Sequence, residues 1–77
     1  MDEIYLRETT DLGLAAALCA LDFEFCYMDR AKDKCFFGFH DINDLQRVME
    51  AYWSGNVQVE PKKFLESLRK LEKQVYA

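Results

Sequence analysis

The sequence predicts a small α+β domain, a ferredoxin-like β-α-β-β-α(-β)-α sheet with its helices packed on one face, and three observations lead there. Two aromatic segments that alternate with period two flank a charged run, the pattern of an antiparallel hairpin. A helix-length apolar run, Leu12 to Leu21, stands between an N-terminal strand signal and that hairpin. Two later segments repeat their apolar residues at helical spacing. With only 77 residues, one core is all the chain can build, so residues 1–77 form a single domain.

Ile4-Tyr5-Leu6-Arg7 reads as the first strand. Thr9 and Thr10 are N-cap candidates for the helix that follows, with Asp11 in its first turn to meet the helix dipole. The helix then runs to about Leu21 without one charged side chain, and a helix apolar all round is normally buried all round. At about 100° per residue, Leu14, Leu18 and Leu21 share one arc that should face the sheet. Gly13, Ala16 and Ala20 share the opposite arc, whose small size permits close approach by another helix. That arc is therefore a candidate interaction surface.

Phe23-Glu24-Phe25-Cys26-Tyr27-Met28 is the second strand, and Cys35-Phe36-Phe37-Gly38-Phe39 the third. The polar run from Asp29 to Lys34 reads as the exposed turn between them. Phe23, Phe25, Phe37 and Phe39 are expected in the core. Gly38 inside a strand marks a bulge or simple packing in preference to a close approach by another group. Asp41 is the natural cap of the second helix, in which Ile42, Leu45, Val48, Met49 and Tyr52 recur at helical spacing, and Gly55 fits a left-handed C-cap. Val57-Gln58-Val59 gives at most an edge strand; the runner-up architecture has three strands and three helices with no fourth strand. Pro61 occupies the first turn of the last helix, whose apolar stripe is Phe64, Leu65, Leu68, Leu71 and Val75.

Three stretches together resemble a known family. Tyr5-Leu6-Arg7-Glu8-Thr9-Thr10-Asp11-Leu12-Gly13-Leu14-Ala15-Ala16 is similar to the opening of a family of short prokaryotic and phage proteins with a Tyr, Thr, Asp-Leu, Leu-Ala-Ala pattern. Cys35-Phe36-Phe37-Gly38-Phe39-His40-Asp41 resembles its aromatic strand, and Val59-Glu60-Pro61-Lys62-Lys63-Phe64 with Leu68-Arg69-Lys70-Leu71 resembles its closing helix. Where that family often places a Gly after the first helix, this chain has Ala20-Leu21-Asp22. The family is a domain of unknown function, so the resemblance implies a fold and a phage or mobile-element setting, and no catalytic residues.

Composition narrows the function classes. A hydrophobic fraction of 51% with eleven aromatic residues describes a folded globule. The longest apolar run is shorter than the roughly 20 residues a bilayer demands and no basic leader precedes it, so a soluble cytoplasmic protein without a membrane partner is expected. Cys19, Cys26 and Cys35 read as free buried thiols in a reducing compartment. His40 has only Asp41 beside it, the glycines are scattered, and Ser54 and Ser67 lack triad partners. No enzyme, cofactor, metal site or small-molecule substrate is therefore expected.

What remains is binding. Tyr52 and Trp53, an aromatic pair beside a glycine turn, make a candidate protein-contact anchor. The chain carries a formal charge of -4, yet residues 60–77 hold five cations against three acids. The leading expectation is a non-catalytic protein-interaction module, acting as a homodimer or on a larger partner. The alternative is a nucleic-acid-associated protein that presents Lys62, Lys63, Arg69, Lys70 and Lys73 to phosphates. An aromatic platform on the strands, including Phe36, is disfavoured for that role because the strands lie in the acidic part of the chain.

Overall fold

A computed structural model describes residues 5–42 and 44–76. The elements run β1 (Leu6–Thr9), α1 (Leu12–Ala20), β2 (Phe25–Ala31), β3 (Lys34–His40), α2 (Leu45–Trp53) and α3 (Pro61–Val75). The three strands form one antiparallel sheet in the order β1-β3-β2, and the last strand in sequence is the central one. This is a split β-α-β unit, in which α1 carries the chain from one edge of the sheet to the other. The α+β class is as the sequence predicts. The fourth strand is not: Val57 to Val59 form an extended connector, too short to earn a partner strand. Ile4, read as part of the first strand, lies outside the described residues.

Register sorts the side chains of the sheet. Phe25 pairs with Phe39 and Met28 with Phe37, and these face the helices. Phe37 and Phe39 are buried, and Phe25 packs against both, with ring centroids 6.5 and 5.5 Å away. Tyr27 pairs with Gly38, Asp29 with Phe36 and Leu6 with His40 on the other face. The charged run expected as a long turn is mostly strand. Ala31 pairs with Lys34, leaving Lys32 and Asp33 as a two-residue turn with Lys32 in the left-handed region at φ 58°.

The bulge lies opposite Gly38 rather than at it, where the pairing steps from Phe25 to Tyr27 and leaves Cys26 extra. Gly38 itself serves the close approach that the sequence reading ranked second. A Cβ there would overlap the ring of Tyr27, and that ring buries the glycine from the open side.

The apolar helix α1 is covered within the chain. Leu14, Ala15, Ala16 and Leu18 have no exposed surface and belong to one core cluster with Phe37, Phe39, Leu45, Met49 and Leu71. The helix packs most extensively against α3 and also touches α2. Its N-cap is Asp11, not Thr9 or Thr10: the carboxylate accepts from the Leu14 amide at 3.1 Å, while the Thr9 hydroxyl accepts from the Asp11 amide. The two threonines precede the turn that an acceptor must close, and a carboxylate caps at least as well as a hydroxyl.

Both shorter helices end in the same way. After α1, the amide of Asp22 reaches the Cys19 carbonyl and that of Phe23 the Leu18 carbonyl, each at 3.0 Å. After α2, Gly55 and Asn56 repeat the pattern on Tyr52 and Ala51. These are Schellman motifs, which place one residue in the left-handed region. Gly55 occupies it at φ 78° and Asp22 at φ 68°. Phe23, the next residue, folds back on the core.

Helix α2 begins later than its sequence pattern suggests. Asp44, without a side-chain capping bond, precedes Leu45, and Ile42 lies outside the helix and is exposed. Asp41 is drawn away from capping by Arg7, whose Nε lies 3.2 Å from its carboxylate. The same guanidinium donates to the Gln46 side chain, tying edge strand β1 to α2. Helix α3 starts as expected, with Glu60 accepting from the Lys63 amide at 2.8 Å and Pro61 in the first turn.

Candidate functional site

The end of α2 is built from a shared acceptor. Tyr52 projects toward the start of α1, where its hydroxyl donates to the Asp11 carboxylate at 3.3 Å while that carboxylate also caps the helix. Gly13 makes room for the phenol, since a Cβ there would stand 2.6 Å from the Tyr52 oxygen. Partial burial raises the Tyr52 pKa, reinforced by the negative charge and hydrogen bond of Asp11. One residue on, Trp53 turns outward and is 59% exposed. Of the expected aromatic pair, Tyr52 is therefore internal cement and Trp53 is free surface.

The small-residue arc of α1 is not open to a partner. Ala16 is fully buried and Ala20 is 7% exposed, so these positions serve packing inside the chain. Gly13 is half-buried under Tyr52. The arc does permit close helix approach, as its size suggests, but the approaching groups belong to the same molecule.

On α3, Phe64, Leu68, Leu71 and Val75 pack into the core, whereas Leu65 is 46% exposed. Leu65 lies about 100° round the helix from Phe64, too far to follow the stripe inward. Lys62, Lys63, Arg69, Lys70 and Lys73 are all exposed. They occupy an arc of roughly 120°, and Glu66 sits inside it.

The sheet's open face is a second surface that the sequence reading did not select. Tyr27 crosses Gly38 and donates to the Glu8 carboxylate of β1, a contact that pushes the phenol's pKa up to about 12. His40 Nδ1 lies 3.6 Å from Glu24, and Phe36 sits beside Asp29 by register. Strand parity within β3 would have found part of this face, because Phe36 and Gly38 fall out of phase with Phe37 and Phe39, but Tyr27 shares the parity of Phe25 and reaches it only through the bulge at Cys26. Its carboxylates make it a poor match for phosphates.

The cysteines divide. Cys26 is exposed on the bulge, against the expectation of burial, because the extra residue in the ladder has no place in the core. Cys19 and Cys35 are half-buried, and burial raises the Cys19 pKa while the Lys70 charge opposes it. Among the described residues no group of three His, Cys, Asp or Glu gathers in a way that would hold a metal. A shallow pocket of about 320 Å³ opens beside the α1 exit, lined by Leu21, Asp22, Phe23, Ile42, Asp44 and Val48. Among the described residues no helix is long and apolar enough to cross a membrane.

No curated protein matches the chain, and no solved structure does. The chain belongs to the family described as Domain of unknown function (DUF5659), whose sequence pattern matches residues 3–77.

Proposed function

We propose that this member of the family is a non-catalytic protein-interaction module, working in a reducing compartment such as the cytoplasm as a homodimer or on a larger partner. Trp53 carries the proposal. A tryptophan with more than half its surface in water, held at the end of a helix whose neighbouring tyrosine is fastened to α1, is a rigid anchor. Free cysteines support the reducing compartment.

Trp53 is the single tryptophan of the chain, so its fluorescence reports directly on that position. Binding of a larger partner through it shifts the emission to shorter wavelength and protects it from acrylamide, and Trp53→Ala weakens that binding while leaving the thermal transition nearly unchanged. A variant that loses its folded state would instead assign Trp53 to packing. The exposed cations of α3 favour a second reading, contact with nucleic-acid phosphates. That binding weakens steeply with salt, whereas contacts built on apolar side chains do not.

A further inference from the structure

We propose that the outer stripe of α3 is a self-association surface, on which a second copy of this chain packs its own α3 in antiparallel orientation about a two-fold axis. The inference rests on the reading of the chain as a protein-contact module, though not on Trp53.

The stripe consists of Leu65, Arg69, Glu72 and Tyr76, which fall within an arc of roughly 60° on the helix and span about 16 Å along it. Leu65 and Tyr76 are large apolar side chains left in solvent, at 46% and 77% exposed. Each borders a groove along the helix. The Leu65 groove, about 320 Å³, is lined by Lys62, Leu65, Glu66 and Arg69, and the Tyr76 groove, about 470 Å³, by Arg69, Glu72, Lys73 and Tyr76.

The order of residues along the stripe commits the surface to a copy of itself. A two-fold axis level with the peptide between Lys70 and Leu71 sets Leu65 opposite the partner's Tyr76 and Arg69 opposite the partner's Glu72. Both pairs occur twice, as an isologous contact requires. Apolar residues then meet at the two ends and opposite charges meet twice in the middle. Antiparallel helices also oppose their dipoles favourably. Within the chain, neither the Arg69 nor the Glu72 side chain has an ion-pair or hydrogen-bond partner among the described residues. A contact of this length buries less than the roughly 1,200 Å² of a standard stable interface, so the dimer is weak and concentration-dependent.

Light scattering and sedimentation on the full chain, from about 10 μM to about 1 mM, test the pairing in the range such small interfaces occupy. The average mass should climb from the monomer's 9.1 kDa toward twice that value. Arg69→Glu and Glu72→Arg should each weaken dimerisation about tenfold by setting like charges across the axis, and the double reversal should restore it to within about threefold. Leu65→Asp should leave a monomer, and Trp53→Ala should leave the dimer intact. Melting curves at low concentration show that each variant is folded. A wild-type monomer throughout the range overturns the pairing, as does a dimer indifferent to both charge reversals. A dimer lost only with Trp53→Ala overturns this pairing while supporting the Trp53 anchor.

Discussion

The aromatic ring of Tyr27 lies over Gly38, its partner in the ladder, so that a side chain from one edge of the sheet roofs the backbone of the central strand. The hydroxyl then reaches Glu8 on the far edge, and one residue spans three strands. Cross-strand aromatic contacts of this kind pin register and replace the side chain that glycine lacks.

Gly38→Ala should therefore destabilise the protein by about 2–3 kcal/mol, because the added methyl group has nowhere to go while the ring stays in place. Thermal denaturation measures it. Tyr27→Ala should cost less in the Gly38→Ala background than in the wild type, since the substitution has already displaced the ring. Additive losses would show that the two residues act independently.

The Glu8 contact fixes the sign of a pH effect. Tyr27 holds its proton up to about pH 12, above the ordinary tyrosine value, so the folded state favours the neutral phenol. Its contribution is fully present below the unfolded-state pKa and is lost as pH rises from that value through about 12. Titrating tyrosinate absorbance should show Tyr27 ionising near pH 12, with Tyr52 delayed as well, and Glu8→Gln should move only the Tyr27 step to lower pH.

Among the described residues Asp22, Lys32 and Gly55 occupy left-handed backbone, and they predict opposite effects. Asp22→Gly and Lys32→Gly should each stabilise by about 0.5–1 kcal/mol by relieving a conformation that costs a side-chain-bearing residue. Gly55→Ala, at φ 78°, should destabilise by about 1 kcal/mol. In a domain of this size each kcal/mol moves the melting temperature by roughly 4–8 °C, well within calorimetric reach.

Asp11 serves two elements at once, as cap of α1 and acceptor for Tyr52. Asp11→Ala should cost about 1–2 kcal/mol, the upper range for a cap, whereas Thr10→Ala should change stability by less than about 0.5 kcal/mol. Equal losses at the two positions would return the capping role to the threonines.

Much of this arrangement was legible in the residues, and the failures share a cause. Period-two aromatics placed β2 and β3, and Glu60-Pro61 placed the start of α3, because those signals are local. Asp41 misled because its partner, Arg7, is distant in sequence and adjacent only through the β1–β3 pairing. Gly13, Ala16 and Ala20 correctly marked a surface made for close packing. Nothing local told that the chain itself would bury it, with Tyr52 lying over Gly13. Leu65 fits the apolar spacing of α3, yet the helical wheel sets it about 100° from Phe64, and it is exposed. The open sheet face is hidden from local signals because the bulge at Cys26 shifts Tyr27 out of the alternation that Phe23 and Phe25 begin.

The pairing of α1 with α3 also bears on how the chain is made. The apolar helix α1 is synthesised before α3, the helix that packs most extensively against it, with β2, β3 and α2 made in between. At typical rates of elongation α1 remains without that cover for a few seconds, and β1 equally has no strand to pair with until β3 is complete. The nascent chain therefore passes through a stage in which its most apolar segment lacks its main cover, the kind of transient exposure that invites aggregation.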